Sequence, residues 1–439
     1  MAESGQKNLA SSGVLYTDRR DFYIRPNIVK ELWTDVAPFL TVVANQQTIS
    51  GMADPTFKMF EHKNPWQKQE IKINDADITT ATVSAHETEG TSPAFGEAVG
   101  IDSPVGIAIG ANLDGLQVEV RSSAGVLKGV ALLGGYSSNT IKLKNLSDAD
   151  FDMEDNDVLT IIGNAQAEGS TSPEAWSDDL EVVYNSTQIF KTPLQISGTL
   201  LQASLRGESS ELARLRDQKA SEHKIQKERA FLFGENPKGI KAGFGAIEDV
   251  TDASGNAIRS TMGIIPALMK HGVSSSSSYS QNIFDNSADN DYEYGDFVDQ
   301  MEKIFQYVPT SGMRKAFVGA GALGYWSKLG GNAGSFAGNS GWTVNLGDIQ
   351  RDALGFNYRV LETPHGMLQL IPTPALRGYY NKHMVIVSEE NLFHAQYRAP
   401  QFQASIQPND ADFVKDQYMS DEGIGISLIE SHALMIVPS

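Results

Sequence analysis

The order of hydrophobic and polar positions divides the chain into segments of different character. Apolar and polar residues alternate over residues 57–85, with Phe57, Met59, Ile71 and Ile73 on one side, which predicts extended strands. Residues 101–163 instead show short β-type runs separated by Gly, Ser, Asn and Asp, the pattern of a small all-β module. These runs are Gln117–Val120, Leu127–Leu132, Thr140–Leu143 and Val158–Ile162. Glu181–Ser197 again alternates, so the module is inserted between two extended stretches.

A long helix is predicted next, because Ser209–Phe233 contains no Gly or Pro and has apolar residues at helical spacing. Thr199 and Gln202 have capping-box spacing ahead of it. Gly234 is expected to supply a left-handed cap, and Pro237 prevents continuation. About 25 residues at 1.5 Å each make a helix of roughly 37 Å. We call Ser209–Phe233 the spine helix.

The middle of the spine helix is charged, and the apolar stripe nearly disappears between Arg216 and Lys224. We therefore expect this helix to be half buried, with His223 facing solvent. Near the N-terminus, Ile28–Trp33 predicts a short helix that ends before Pro38. Residues 1–50 have too few apolar positions for a core of their own, so we expect an arm that lies on other structure.

The remainder of the chain mixes helical and strand patterns, which predicts an α+β unit. Two low-complexity or Gly-rich stretches, Ser274–Ser280 and Gly330–Gly341, are expected to be loops. The predicted helices are Gly263–Lys270, Phe297–Tyr307 and Gly321–Leu329. The predicted strands are Lys315–Val318, Met367–Ile371, Met384–Val387, Leu392–Tyr397, Gly425–Ile429 and Leu434–Val437.

Composition and charge exclude several classes of protein. The 439 residues carry a formal charge of −19, and 19 acidic against 5 basic residues lie between Asn74 and Leu200. Such a chain is not a non-specific nucleic-acid binder, since phosphate contacts require a basic surface. No cysteine is present, so disulfides and zinc–thiolate sites are excluded. No secretion signal or membrane-length apolar run is seen, and we expect a soluble protein made in the cytoplasm.

The candidate chemical motifs have mostly structural interpretations. Gly319-Ala-Gly321-Ala-Leu-Gly324 has the spacing of a dinucleotide-binding turn. The acidic residue expected about twenty positions later is missing, so a plain strand-to-helix turn is favoured. Asp148–Asp152 and Asp289–Glu293 resemble the start of calcium loops but lack the required Gly and terminal Glu. The scattered histidines form no metal or catalytic motif, and we expect no catalytic residue, cofactor or metal.

One short basic stretch stands out against the acidic background. Lys58, Lys63, Lys68 and Lys72 outnumber the two acidic residues between positions 57 and 73. Trp66 lies in the same stretch, and an exposed Trp among cations is typical of a contact hot spot. The alternative is that Trp66 packs against its own strand. These five residues are the candidate subunit contacts.

The order of parts resembles the major capsid proteins of tailed bacteriophages with the Hong Kong 97-type fold. Several short sequence motifs are similar to those of one subgroup of that family. This subgroup has a Trp-Gln in the outgoing strand and an insertion in the extended loop. The motifs are Pro65-Trp66-Gln67, Asn185-Ser-Thr-Gln-Ile-Phe-Lys191, Ser197-Gly-Thr199, Glu211-Leu-Ala-Arg214, Lys227-Glu-Arg229, Phe231-Leu-Phe-Gly234, Arg259-Ser-Thr-Met-Gly263, Thr363-Pro-His-Gly366 and Leu376-Arg377-Gly378.

The resemblance implies a non-enzymatic shell subunit that self-assembles around double-stranded DNA in a virion. It implies an α+β fold with a small all-β insertion. The parts are an arm (1–50), an extended loop (51–198) containing the module, the spine helix with the start of the P-domain (199–261), mainly A-domain (262–400) and C-terminal P-domain strands (401–439). Expected partners are copies of itself in pentamers and hexamers, with scaffold, portal and cement proteins as further candidates. DNA is enclosed without specific binding, and no membrane is involved.

Two alternatives stay open: another phage structural protein, such as a tail or adhesion component, and a nucleotide-binding enzyme using Gly319–Gly324.

Overall fold

The fold contains six α-helices and twenty-three strands within the part of the chain that is described. The computed structural model describes residues 37–62, 70–73, 81–83, 98–101, 115–137, 140–147, 149–165, 168–169, 180–203, 210–237, 240, 250–274, 281–289, 291–307, 312–332, 350–351 and 357–438. The helices are α1 (Pro38–Gln46), α2 (Gly198–Gln202), α3 (Glu211–Phe233), α4 (Ile264–His271), α5 (Tyr294–Phe305) and α6 (Ala320–Asn332). The spine helix is therefore α3. None of the helices described is long and apolar enough to cross a membrane.

The strands fall into two groups along the chain. The first group is β1 (Thr48–Ser50), β2 (Thr56–Glu61), β3 (Glu70–Lys72), β4 (Ala81–Val83), β5 (Val99–Gly100), β6 (Leu116–Arg121), β7 (Leu127–Ser137), β8 (Thr140–Asn145), β9 (Phe151–Met153), β10 (Val158–Asn164), β11 (Glu181–Ser186) and β12 (Gln188–Ser197). The second group is β13 (Val250–Thr251), β14 (Ala257–Ile258), β15 (Ile283–Asp285), β16 (Met313–Val318), β17 (Gln350–Arg351), β18 (Asn357–Thr363), β19 (Gly366–Pro372), β20 (His383–Val387), β21 (Leu392–Gln403), β22 (Phe413–Ile426) and β23 (Ala433–Ile436).

The chain divides into two compact units. The main unit comprises residues 1–59 and 182–439, and the inserted unit comprises residues 60–181. In the inserted unit, strands β3, β10, β6, β7, β8 and β5 form a six-stranded sheet in that order. Alternate residues of β6 are buried against a core that includes Val118, Leu133 and Leu143. The four predicted β-runs are each part of this sheet, as the period of two indicates.

The main unit is built on two sheets. A four-stranded sheet has the order β1-β21-β22-β12, and a mixed seven-stranded sheet has the order β15-β23-β20-β16-β19-β18-β17. One core packs Phe231 and Leu232 of α3 with residues of α1 and α4 and of both sheets. A second core packs Phe297 of α5 and Trp326 of α6 against the seven-stranded sheet. The predicted α+β class is confirmed.

One prediction about a helix cap is wrong, and helix α1 was not predicted. Pro38 begins α1, since Pro is favoured in the first turn, where its missing N–H is not needed. Phe39 and Val43 of α1 are buried in the main core, so this part of residues 1–50 lies on the rest of the chain. Ser197, rather than Thr199, caps α2 by accepting the Leu200 N–H at 3.3 Å. The predicted helix at residues 28–33, and residues 275–280 and 333–341 of the predicted loops, lie outside the described residues.

Gly234 ends the spine helix, but not in the left-handed conformation that was predicted. Its φ of −57° and ψ of 142° are open to other residues. A Cβ at this position would lie 2.4 Å from the Ala230 carbonyl oxygen and 2.6 Å from that of Thr261. Glycine is therefore required because another chain segment passes directly over the helix end.

The glycine motif at 319–324 forms the turn from β16 into α6, and the chain itself fills it. A Cβ on Gly319 would lie 2.2 Å from the backbone oxygen of Asn381. The Gly321 N–H donates to the Asn381 side-chain oxygen at 2.9 Å, which takes the position that a nucleotide phosphate would need. Since β16 is parallel to β19 but antiparallel to β20, the motif does not open a parallel βαβ series.

Two glycines of this motif allow a matched test. Gly319→Ala should destabilise the protein by about 2 kcal/mol or more, because backbone atoms must move to accommodate the methyl group. Gly324→Ala should be neutral or stabilising by up to about 1 kcal/mol, because Gly324 lies within α6 and no atom lies within 4 Å of the position that its methyl group would take. Urea unfolding of both variants measures the difference. Equal effects would contradict this role for Asn381.

Candidate subunit-contact site

Two of the five candidate contact residues lie in the described chain. Lys58 is exposed on β2, and Lys72 is half-buried on β3, where it pairs with Val158 of β10. Lys63, Trp66 and Lys68 lie outside the described residues. The structure therefore places Lys58 in the main unit and Lys72 in the inserted unit.

The outer face of β2 presents an aromatic side chain that sequence reasoning missed. Along this strand, the Phe57 ring packs edge-on against Phe393, with ring centroids 5.7 Å apart, and Glu61 is buried. Lys58 and Phe60 alternate with them on the outside, and Phe60 is 74% exposed. Alternation in the sequence showed two faces but did not show which one is covered. Aromatic residues are enriched in protein interfaces, so Phe60 is a further candidate for a subunit contact.

The spine helix is held on the four-stranded sheet by charged groups. Arg216 donates from Nε to Asp416 Oδ2 at 2.8 Å, and its Nη2 lies 2.7 Å from the same oxygen. The Asp416 side chain is only 1% exposed, and its other oxygen accepts the Ser405 N–H at 2.8 Å. Arg216 also lies over the Phe402 ring, 5.2 Å from its centroid. This pairing gives the buried carboxylate the partners it requires.

His223 was predicted to face solvent, and this prediction is wrong. Its ring lies between the helix and the sheet, with Nδ1 3.0 Å from the Thr192 hydroxyl and Nε2 3.0 Å from the Ser420 hydroxyl. Burial, and then the positive charge of Lys227, lower the pKa of His223, so the ring is neutral near pH 7. A neutral imidazole satisfies one hydroxyl as donor and the other as acceptor.

A further turn along the helix, Lys227 pairs with a fully buried carboxylate. Its Nζ lies 3.1 Å from Glu422 Oε2, and His394 Nε2 lies 3.2 Å from the same oxygen. Burial opposes ionisation of Glu422, but His394 and Lys227 outweigh it and lower the pKa of this carboxyl. Asp416 and Glu422 both lie on β22, so the helix and this strand are joined at two points.

Glu228, the next residue of the helix, is buried differently. Its two carboxyl oxygens have no well-formed hydrogen bond within the described chain, and its side chain points toward the start of α1. Burial raises the pKa of Glu228 to about 8, although the nearby Leu40 N–H and the charge of Lys224 oppose the rise. The carboxyl is therefore protonated near pH 7.

A protein-family comparison identifies the chain. The model of the SU10 major capsid protein family matches residues 28–435, which is nearly the whole sequence. The chain belongs to the SU10 major capsid protein family. The predicted function, major capsid protein of a tailed phage, is thereby confirmed, as is the prediction of a structural protein rather than an enzyme. Membership also assigns the protein to the virion.

Solved structures of similar proteins are capsids at low sequence identity. The capsid of a native GTA particle has 10% identity and a TM-score of 0.46, covering 99% of this chain and 100% of that one. The capsid of cyanophage A-1(L) has 7% identity and a TM-score of 0.41, covering 63% and 84%. The structure from Mycobacterium phage Patience has 13% identity and a TM-score of 0.37, covering 63% of this chain and 78% of that one. A comparison with curated protein sequences gave no match.

In this capsid protein, the charged residues in the middle of the spine helix hold the helix on the four-stranded sheet. They do not form a binding or catalytic site. Hydrogen-bonded charged groups fix the distance and orientation of two elements relative to each other. Apolar side chains instead allow one element to shift slightly along the other. The helix is therefore positioned on the sheet by Arg216, His223 and Lys227.

The Arg216–Asp416 pair provides one test of whether charged groups hold the spine helix on the sheet. Arg216→Gln leaves the buried Asp416 carboxylate without its cation, and should lower the free energy of unfolding by about 2 to 3 kcal/mol. Lys219→Gln is the matched control, because the Lys219–Glu222 pair on the same helix is partly exposed. That change should cost less than about 1 kcal/mol. Urea unfolding at pH 7 compares the free energies of unfolding of the two variants. Similar losses in both would argue that the Arg216–Asp416 pair does not hold the helix on the sheet.

Glu228 predicts a dependence of stability on pH. An unfolded Glu titrates near 4.5, whereas folded Glu228 titrates near 8. Between these values only the folded state holds the proton, so this group lowers stability as pH rises. Glu228→Gln removes the effect, and its stability relative to wild type should increase by up to about 1.4 kcal/mol per pH unit in this window.

Urea unfolding at pH 5, 7 and 9 measures this difference. Glu302→Gln is the control, since Glu302 is exposed on α5 and its change should have a constant effect. A Glu228→Gln difference that does not vary with pH would show that the carboxyl is not protonated in the folded protein.

Proposed function

We propose that many copies of this chain form the icosahedral head shell that encloses the double-stranded DNA of a tailed phage, as pentamers and hexamers. Family membership supports the role of shell subunit, and repeated copies explain how modest contacts build a stable particle. Scaffold, portal and cement proteins are further candidate partners, and we expect synthesis in the bacterial cytoplasm. The DNA is enclosed without specific binding, since the chain carries a charge of −19.

The proposed parts are those of the Hong Kong 97-type arrangement. The inserted unit belongs to an extended loop at about residues 51–198, and the spine helix opens a P-domain. An A-domain would occupy most of residues 262–400, and P-domain strands residues 401–439. The order of elements supports this division, because β12 is followed by the short helix α2 and then by the spine helix, and the long strand β22 returns to pair with β12.

The observation that carries the proposal is the outer face of β2. Lys58 and the 74% exposed Phe60 project from a strand whose other face is fixed to the core through Phe57. A neighbouring copy that packed on this face would cover the Phe60 side chain, and buried aromatic residues are frequent hot spots of protein contacts. We propose that Lys58, Lys63, Trp66, Lys68 and Lys72 contact an acidic surface of that neighbour.

Charge reversal tests this contact. The variant with Lys58, Lys63, Lys68 and Lys72 all replaced by Glu should remain folded but form few or no particles, because it meets an acidic surface with like charge. The control replaces the same four residues by Arg, which keeps the charge and should keep assembly. Negative-stain electron microscopy counts the particles, and circular dichroism checks the fold. Normal shells from the Glu variant would disprove the contact.

A further inference from the structure

The His223 ring belongs to a directed chain of hydrogen bonds that runs from the sheet to the outer side of the spine helix. At its outer end, Lys219 pairs with the Glu222 carboxylate, a group that only accepts. Gln226 donates to Glu222 from Nε2 at 3.2 Å, which turns the amide oxygen of Gln226 toward Thr192. The Thr192 hydroxyl donates to that oxygen, also at 3.2 Å.

This order decides which ring nitrogen of His223 carries the hydrogen. A hydroxyl has one hydrogen, and Thr192 gives its hydrogen to Gln226, so the Thr192 oxygen accepts from His223 Nδ1 at 3.0 Å. A neutral imidazole has a single N–H, so Nε2 keeps its lone pair and accepts from the Ser420 hydroxyl at 3.0 Å. The hydrogen bonds therefore select the Nδ1–H form of the ring.

A second proton on the ring does not fit this arrangement. On Nε2 it would point at the hydrogen of the Ser420 hydroxyl, which would then have to turn away. The Ser420 hydroxyl makes no other hydrogen bond among the described residues, and Ser420 and His223 are only 0% and 4% exposed. Protonation therefore buries a charge and also leaves a buried hydroxyl without its acceptor.

The charged groups beside the ring compensate for a second proton only in part. Lys227 lies one turn further along the helix and is positive. Glu422 of β22 is negative, but Lys227 and His394 already share its carboxylate. Burial and then Lys227 lower the pKa of His223, and Glu422 opposes them without reversing the direction.

The remaining sides of the ring add no net charge. Phe190 of β12 packs edge-on against it, with ring centroids 6.3 Å apart. The Tyr418 ring of β22 lies at 6.2 Å, and burial raises the pKa of its hydroxyl, so Tyr418 is neutral near pH 7. Two turns earlier on the helix, Arg216 is neutralised by Asp416.

We propose that His223 is an acid-sensitive switch that releases the middle of the spine helix from the sheet. In its neutral form the ring joins Thr192 of β12 to Ser420 of β22. When Nε2 takes up a proton, the Ser420 hydroxyl loses its acceptor, and the charged ring is stabilised by moving toward water. Arg216 and Lys227 still hold the helix on either side, so we expect local opening in a chain that stays folded.

The direction of the pH effect follows from the two states of the ring. An unfolded His titrates near 6.5, and folded His223 titrates below that value. As pH falls through 6.5, the open or unfolded chain takes up the proton first, so stability that is present above this pH is lost below it. The switch concerns contacts within one copy, so its tests are independent of the proposed shell function.

Nitrogen NMR of histidine-labelled, full-length protein tests the state of the ring. At pH 7 His223 should have a protonated Nδ1 and an unprotonated Nε2. Its signals are assigned as those, among eight histidines, that disappear in His223→Gln. A charged ring, or a ring with the hydrogen on Nε2, would overturn the proposal.

Hydrogen exchange followed by mass spectrometry tests the release in the wild-type chain. After correction for the intrinsic effect of pH on exchange, peptides from the middle of α3 should lose protection by up to tenfold per pH unit between pH 6.5 and 5. Peptides from α5 should keep their protection, because α5 packs in the other core of the main unit. Unchanged protection of α3 at pH 5 would overturn the proposal.

His223→Gln separates this ring from other acid-sensitive groups. Glutamine supplies a donor and an acceptor but does not titrate, so α3 should keep its protection between pH 6.5 and 5 in this variant. His365→Gln is the matched control and should respond like wild type, since His365 is exposed in the turn between β18 and β19. An acid-induced loss in His223→Gln equal to that of wild type would assign the effect to other groups, such as Glu422, and would refute the switch.

Discussion

The main unit depends on burying two carboxylates of a single strand against the spine helix. Asp416 and Glu422 of β22 are six residues apart, which is about 20 Å in an extended strand. Their partners Arg216 and Lys227 are eleven residues apart on α3, about 16 Å in a helix. The two spans differ by about 4 Å, which the long Arg216 and Lys227 side chains can bridge, and sliding the helix by one turn would break both ion pairs. Since an unpaired buried charge is costly, the register of helix on strand has one favourable setting.

Local patterns predicted the elements well because their causes are local. The spine helix was expected at Ser209–Phe233 and spans Glu211–Phe233, since the absence of Gly and Pro and the final glycine are sequence properties. The strands of the inserted unit followed from alternation. Burial of His223 could not be predicted in this way, because its partners Thr192 and Ser420 lie 31 and 197 residues away.

Glycine positions show the same limit. Gly234 and Gly319 were recognised as ends of elements, but their necessity comes from Thr261 and Asn381, which arrive from distant parts of the chain. For the candidate site, counting charged residues located the basic stretch, and Lys58 is exposed on β2. Phe60 was missed because a strand's alternation does not reveal which face another element covers. All five candidate contacts, Lys58, Lys63, Trp66, Lys68 and Lys72, stay predictions.

The way the chain leaves and re-enters the main unit has an evolutionary consequence. Strands β2 and β11, on either side of residues 62–180, are neighbours in a two-stranded sheet. Neighbouring strands lie about 4.8 Å apart, a gap that a turn of a few residues closes. Related proteins can therefore lengthen, replace or lose the inserted unit during evolution while the main unit stays unchanged. The same junction is a natural place to graft a foreign domain for display on a particle.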